Sequence, residues 1–293
     1  MSFTWLPPPV LVAGPCTLED DDLNLTVAES LAELQAKLGL RVLFKGSFDK
    51  ANRSNLDAPR GLGLDRGLAG LARVRSETGL PVLTDVHEVH QVEQVGEVVD
   101  ALQVPAFLCR QTDLLCAVGR TLKPVNIKKG QWMSAEEMGR AVAKVCSNRE
   151  GGGKGTADIA VTERGTFFGY GDLVVDMRNF KRLRDAARCA VLFDATHAVQ
   201  QPGRGARGSS AGTREHVAGL LMAAAAAGAD GFFIETHPQP ESAPSDSATM
   251  WPLEELGELV ERAMEVWEVV RGEHERVLWG RAGRGSRDAA LEQ

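Results

Sequence analysis

The chain has 293 residues, 43% of them hydrophobic, and a formal net charge of −7, enough apolar material for the core of one large α/β barrel or two ordinary domains. Its 33 basic residues form no basic block or aromatic-rich basic stripe, which argues against a nucleic-acid surface. The apolar stretch Leu220 to Ala227 is too short to span a bilayer, Met1 to Pro9 lacks the features of a signal peptide, and five cysteines without regular spacing suit single thiols in a reducing, cytoplasmic compartment.

In chain order, short apolar runs rich in Val, Ile, Leu and Phe occur at Val10 to Ala13, Val42 to Phe44, Pro81 to Leu83, Ala101 to Val104, Pro124 to Ile127, Ile159 to Val161, Ala190 to Phe193 and Gly231 to Ile234. Their hydrophobicity is continuous, as strands buried on both faces require. Helical spacing of apolar residues appears between them, over Leu25 to Leu38, Leu64 to Thr78, Ala135 to Ser147, Thr213 to Ala227 and Leu253 to Val270. Eight β then α units predict a closed (β/α)8 TIM barrel in a single domain. The competing doubly wound sheet has fewer strands and a glycine fingerprint after the first, where this chain reads Gly14-Pro15-Cys16. Residues 1–272 are expected to form the barrel, and residues 273–293, polar and arginine-rich, a flexible tail. Asn148 to Thr156 and Gln201 to Gly212 are expected to be mobile loops without regular structure. The first reads as a variable surface insertion, the second as a plain loop or a lid beside His197.

In such a barrel the chemistry sits at the carboxyl ends of the strands. Behind the eight runs stand Cys16; Lys45, with Lys50, Asn52 and Arg53 in the loop; Asp85 and His87; Arg110; Lys128 and Lys129; Glu163 and Arg164; Asp194 and His197; and Glu235 and His237. Lys45, Lys50, Arg53, Lys128 and Arg164 together can neutralise two phosphates and a carboxylate, so strongly anionic substrates are expected. Each alone also reads as a surface cation, but a charge directly behind a buried strand must be paired or used. Cys16, His197, Glu235 and Asp246 offer a thiolate, an imidazole and two carboxylates, a donor set suited to a transition-type divalent ion. No local spacing rule supports that cluster, and a cysteine at a strand end also reads as a small core residue. Cys109, Cys116, Cys146 and Cys189 read as core or half-buried residues, and His90, His216 and His274 as surface or helix residues.

On these residues the chain resembles the 3-deoxy-D-manno-octulosonate 8-phosphate synthases, a branch of the barrel synthases that also includes the 3-deoxy-D-arabino-heptulosonate 7-phosphate synthases. The resemblance runs from about Val10 to Val270. It rests on Ala13-Gly-Pro-Cys16, Phe44-Lys-Gly-Ser-Phe-Asp-Lys-Ala-Asn-Arg-Ser54, Thr84-Asp-Val-His-Glu88, Gln103-Val-Pro-Ala-Phe-Leu-Cys-Arg-Gln-Thr-Asp113, Val125-Asn-Ile-Lys-Lys-Gly-Gln131, Thr162-Glu-Arg-Gly165, Asp194-Ala-Thr-His197 and Glu235-Thr-His-Pro238. It implies condensation of phosphoenolpyruvate with D-arabinose 5-phosphate and water, giving 3-deoxy-D-manno-octulosonate 8-phosphate and phosphate for lipopolysaccharide biosynthesis. The implied assembly is a cytoplasmic homotetramer with no nucleic-acid or membrane partner.

The resemblance further implies that Lys45, Lys50, Lys128 and Arg164 hold the phosphate and carboxylate of phosphoenolpyruvate beside Gln103. Asn52, Arg53 and Ser54 are expected to bind the aldose and its phosphate, Ser47 to line the pocket, and Arg110 to reach that phosphate from a neighbouring subunit. Lys50, Lys128, Asp85 and His197 are the expected catalytic set. In this family a cysteine after Gly-Pro marks the metal-dependent members and an asparagine the metal-independent ones. Cys16 thus implies a divalent metal cofactor, zinc, iron, manganese or cobalt, held by Cys16, His197, Glu235 and Asp246. Asp246 is carried by the loop Pro244-Ser-Asp-Ser247 rather than by a strand. The heptulosonate synthases, the enzyme alternative, read Lys-Pro-Arg-Thr where this chain reads Lys50-Ala-Asn-Arg-Ser54, so Asn52 favours the five-carbon aldose over erythrose 4-phosphate. A non-catalytic barrel that binds sugar phosphates is the alternative from another class. Gly46, where alanine or serine is common, and Trp132, where phenylalanine is usual, depart from the pattern without touching an expected ligand.

Overall fold

The computed structural model describes residues 8–53, 56–149, 155–205 and 211–273. Eight parallel strands form its centre: β1 (Val10–Gly14), β2 (Arg41–Lys45), β3 (Val82–Asp85), β4 (Ala101–Val104), β5 (Val125–Lys128), β6 (Ile159–Glu163), β7 (Ala190–Asp194) and β8 (Gly231–His237). Each pairs with its neighbours in chain order, and β1 pairs with both β2 and β8, in the registers Val10↔Arg41 and Val10↔Gly231, which closes the ring. The expected (β/α)8 architecture is the observed one.

Among the described residues eight longer helices surround the strands: α1 (Asp21–Leu38), α2 (Leu64–Thr78), α3 (Gln91–Val98), α4 (Thr112–Arg120), α5 (Ala135–Cys146), α6 (Asn179–Ala187), α7 (Val217–Ala226) and α8 (Leu253–Glu273). α1 begins before the expected Leu25, because the Asp20 side chain accepts from the Leu23 N–H at 2.9 Å and Asp21 and Asp22 sit at the positive end of the helix dipole. α5 opens with a capping box of Ser134 and Glu137. α7 starts later than the apolar spacing suggests, after a single 3-10 turn at Arg214–His216.

The strand pleat creates two apolar layers. Inside the barrel, Val10, Val12, Leu43, Leu83, Ala101, Ala160, Leu192 and Phe233 form a small plug. Alternate residues such as Leu11, Phe44, Leu102, Ile127 and Ile234 join the helices in a larger outer core. Two residues beyond the plug the inward positions turn polar while staying buried: Lys45 follows Leu43, Asp85 follows Leu83, Gln103 follows Ala101, Thr162 follows Ala160, Asp194 follows Leu192 and Glu235 follows Phe233. The pleat thus sets a polar layer on the carboxyl side of an apolar floor.

Where β1 leaves that layer, Gly14 has φ +152° and a Cβ there would lie 2.1 Å from the Lys45 carbonyl oxygen. Gly14→Ala is therefore expected to destabilise the protein by about 3 kcal/mol or more, read from the midpoint of chemical denaturation. An unchanged midpoint would contradict the close approach of β1 and β2.

At the opposite, amino end, Asp230 accepts from the Val191 N–H at 2.9 Å and pairs with Arg184 and Arg271 at 2.8 and 2.6 Å. Trp267 Nε1 donates to the Ala229 carbonyl oxygen at 2.9 Å. Together these contacts clamp the end of α8 beneath the barrel.

The loops differ from expectation in two places. Arg149, inside the stretch read as a surface insertion, is buried and donates to the Lys123 carbonyl oxygen at 2.7 Å, 4.0 Å from Asp158; it anchors the chain just before β6, and residues 150–154 lie outside the described residues. In the second stretch, Gln200–Gln201 pairs antiparallel with Ala211–Gly212, so backbone pairing gives its ends regular structure; residues 206–210 lie outside the described residues. A second small hairpin, Thr166–Gly169 with Asp172–Val174, follows β6, with Phe168 and Tyr170 exposed in left-handed conformations. Gln201 and Arg204 tie the two hairpins, donating to the Asp172 carboxylate at 2.6 Å and the Tyr170 carbonyl oxygen at 2.8 Å. The expected tail, with His274, lies outside the described residues beyond Glu273. Among the described residues no helix is long and apolar enough to cross a membrane.

Candidate active site at the carboxyl end of the barrel

Beyond β1 the chain turns through Pro15 to Cys16, whose Sγ lies 3.0 Å from Asp246 Oδ2. One ligand atom from each of Cys16, Glu235 and Asp246 lies within 4.8 Å of the others. His197 stands on the short helix Ala195–Ala198 after β7, where Asp194 accepts from its N–H at 2.9 Å and contacts its Nδ1 at 2.8 Å. An ionised carboxylate only accepts, so Nδ1 carries a proton towards Asp194 and Nε2 is the ring nitrogen turned to the cluster. Nε2 faces Glu235 Oε2 at 3.4 Å and Asp246 Oδ2 at 3.9 Å. Glu235 Oε2 is itself buried without a hydrogen-bond donor. A buried oxygen of this kind, beside a thiol, an imidazole nitrogen and a second carboxylate, fits a divalent cation. Asp246, although on a loop, is brought into the cluster by a turn in which its carbonyl oxygen accepts from the N–H groups of Thr249 and Met250 at 2.9 and 3.0 Å.

Lysines border this group. Lys45 Nζ donates to the Cys16 carbonyl oxygen at 2.8 Å and to Glu235 Oε1 at 2.9 Å. Lys50 Nζ bonds to Asp246 and lies 2.9 Å from Cys16 Sγ. Burial works against both ammonium charges, but Glu235 and Asp85 around Lys45, and Asp246 and Cys16 around Lys50, outweigh it and raise both pKa values. Burial pushes the Cys16 thiol up to about 12, reinforced by Glu235 and opposed by Lys50. Lys128 behaves differently. Burial draws its ammonium down to about 8 against the attraction of Asp194, to which it is hydrogen-bonded, and Nζ lies 2.9 Å from the centre of the Phe233 ring. Asp85 feels burial in the opposite sense, yet Lys45, His87 and the donors Ser47 and Gln103 bring its carboxyl down to about 2.

The remaining inward groups complete a belt. Ser47 and Gln103 both donate to Asp85. Gln103 Oε1 accepts from Asn126 Nδ2 at 2.8 Å, and Asn126 Oδ1 accepts from Thr162 Oγ1 at 2.6 Å. Arg164 Nη2 donates to Gln200 Oε1 at 2.6 Å and to the His197 carbonyl oxygen at 3.3 Å, while its Nη1 is buried without a partner. Gln200 in turn donates to Asp246 Oδ1 at 2.7 Å. Asn126, Thr162 and Gln200 are not among the residues expected from sequence. The pleat reveals the first two, which precede Lys128 and Arg164 by two positions and share their inward face.

Other strand-end and loop residues make contacts of their own or stand exposed. Lys129, fully buried, lies 3.5 Å from Glu163, whose carboxylate accepts from the Gly165 N–H at 2.7 Å and from Asn179 at 2.9 Å, outside the barrel interior. His237 Nε2 contacts Glu19 at 3.0 Å. Asn52 is exposed, Arg53 donates to the Lys50 carbonyl oxygen at 2.9 Å, and Ser54 lies outside the described residues. Arg110 is exposed, its guanidinium 3.9 Å from Glu137.

The family model described as the DAHP synthetase I family matches residues 7–271. A protein of Syntrophotalea carbinolica named 2-dehydro-3-deoxyphosphooctonate aldolase is 50% identical over 268 residues, 92% of this chain and 94% of its own. Proteins of the same name from Nitrobacter winogradskyi and Alkalilimnicola ehrlichii are 51% and 49% identical over 254 and 265 residues, covering 87% and 90% of this chain and 86% and 93% of theirs. The matched span includes the whole barrel and each residue of its carboxyl mouth, and the chain belongs to the DAHP synthetase I family.

Proposed function

We propose that the chain is an enzyme that condenses phosphoenolpyruvate with D-arabinose 5-phosphate and water to give 3-deoxy-D-manno-octulosonate 8-phosphate and inorganic phosphate. The relatives are named for aldolase chemistry on 2-dehydro-3-deoxyphosphooctonate, the product of that condensation. The observation that carries the reading is the inward-facing cation set Lys45, Lys128 and Arg164, held above the apolar floor and beside Cys16, His197, Glu235 and Asp246.

In the reaction, C3 of phosphoenolpyruvate attacks the aldehyde carbon, water adds at C2 and phosphate leaves. Arg164 Nη1 and the Lys128 ammonium offer charge-assisted donors to phosphate and carboxylate oxygens in a site enclosed by the barrel. Lys128, whose pKa burial draws down to about 8, is suited to deliver a proton to the oxygen on which charge develops. Glu235 and Asp85 keep Lys45 charged, and Asp194 keeps the His197 ring orientation and the Lys128 position. Cys16, His197, Glu235 and Asp246 are the residues that would hold a divalent ion, which supplies, when bound, a Lewis-acid charge to orient the aldehyde oxygen. We also read the protein as a cytoplasmic homotetramer; the exposure of Arg110 supports its service to a neighbouring subunit.

Phosphate release from phosphoenolpyruvate tests this, with arabinose 5-phosphate or erythrose 4-phosphate as acceptor and chelator-stripped protein assayed before and after divalent metal is returned. Turnover with arabinose 5-phosphate that depends on the metal is expected. Preference for erythrose 4-phosphate would move the chain to the heptulosonate branch, full activity of stripped protein would remove the metal, and no turnover with either acceptor would leave a silent sugar-phosphate binder.

A further inference from the structure

Thr162, Asn126, Gln103 and Asp85 stand on four consecutive strands, β6, β5, β4 and β3, and all are buried. Their hydrogen bonds run in one direction. The Thr162 hydroxyl donates to Asn126 Oδ1 at 2.6 Å, Asn126 Nδ2 donates to Gln103 Oε1 at 2.8 Å, and Gln103 Nε2 donates to Asp85, which also accepts from Ser47. The direction is set from one end, because an ionised Asp85 only accepts. Gln103 must turn its NH2 to Asp85 and its carbonyl to Asn126; Asn126 must answer with its own NH2, which leaves its carbonyl for the Thr162 hydroxyl. Rotating either amide by 180° would bring two acceptors or two donors face to face.

One layer below, the same strands carry Leu83, Ala101 and Ala160 in the apolar plug, so apolar side chains fill this interior without difficulty. A buried polar chain with every member satisfied rigidifies and fixes the orientation of its groups. We propose that Asn126 and Thr162 are positioning residues, which fix the direction of the Gln103 amide and keep its second Nε2 hydrogen for the anionic substrate at the barrel mouth. The proposal rests on the reading of that mouth as the phosphoenolpyruvate condensation site.

Steady-state phosphate release with arabinose 5-phosphate tests it in three variants. Thr162→Val removes the first donor without changing side-chain shape, and is expected to lower kcat/KM for phosphoenolpyruvate about tenfold, mainly through KM. Asn126→Asp puts an acceptor against Gln103 Oε1 and forces the amide to choose between two carboxylates; a loss of about 100-fold is expected. Thr162→Ser keeps the hydroxyl and is expected to restore wild-type kinetics. A merely structural role would lower the melting temperature and leave the kinetic constants of the folded protein unchanged. Thr162→Val and Asn126→Asp with wild-type kcat/KM would overturn the proposal. A wild-type protein that fails to turn over phosphoenolpyruvate with arabinose 5-phosphate would instead overturn the functional reading on which it rests.

Discussion

Lys128→Met is expected to lower kcat/KM by a factor of about 100 to 1000 while the barrel stays folded, the loss typical when one preorganised donor is removed from an enclosed polar site. The methionine retains the apolar contact with Phe233. Asp194, deprived of the ammonium, still accepts from the His197 N–H, from His197 Nδ1 and from the Thr196 hydroxyl at 2.9, 2.8 and 3.3 Å, so its charge is not abandoned. The wild type should also show an alkaline limb. Burial holds the Lys128 pKa at about 8, below its ordinary value, so the charged form is lost, and kcat/KM falls, as pH rises through that value. Residual activity of the variant should lack this limb. Phosphate-release kinetics across pH 6 to about 10 read both effects, and a variant with wild-type constants would remove Lys128 from the chemistry.

Cys16→Ala is expected to weaken divalent-metal binding by at least about 100-fold and to take most of the activity with it. The fold should survive, since replacing a thiol by a methyl leaves only a small cavity, a cost of about 1–2 kcal/mol. Elemental analysis of dialysed protein gives the metal content, and a content equal to that of wild type would refute the ligand assignment. A second signature separates ligation from a general disturbance. With its pKa at about 12, the thiol is protonated at neutral pH, so an ion bound through Cys16 must expel that proton. Calorimetric titration in buffers of different ionisation heat should find the released proton in wild type and not in the variant.

The strands were legible because their two buried faces write themselves as unbroken Val, Ile, Leu and Phe. The strand-end chemistry followed from the same runs. Parity carries the rest: Lys128 and Lys129 look equivalent in sequence, yet one residue of pleat sends the first over the Phe233 ring and the second outward to Glu163. Asn126 and Thr162 are hard to find in the sequence because a single amide or hydroxyl inside a strand has no motif of its own, only a phase shared with its neighbours. α6 is hard to see for a different reason, since its four charged residues leave only Phe180, Leu183 and Ala187 buried. The hairpin after β6 depends on Phe168 and Tyr170 at positive φ, a conformation that their identities disfavour. Asn52 and Arg110, exposed in one isolated chain, owe their expected roles to a substrate and a second subunit, which no local pattern encodes.

The clamp on α8 has a practical consequence. Arg271 pairs with Asp230 immediately before β8, so the last described helix ends at the pole away from Cys16 and Arg164. A resin or fluorophore coupled to a cysteine placed at exposed Val269, near the end of that helix, therefore meets the barrel at its amino-terminal pole. Immobilised in that orientation, the molecule presents its mouth to the flowing solution, which makes the end of α8 the natural attachment point for a supported catalyst.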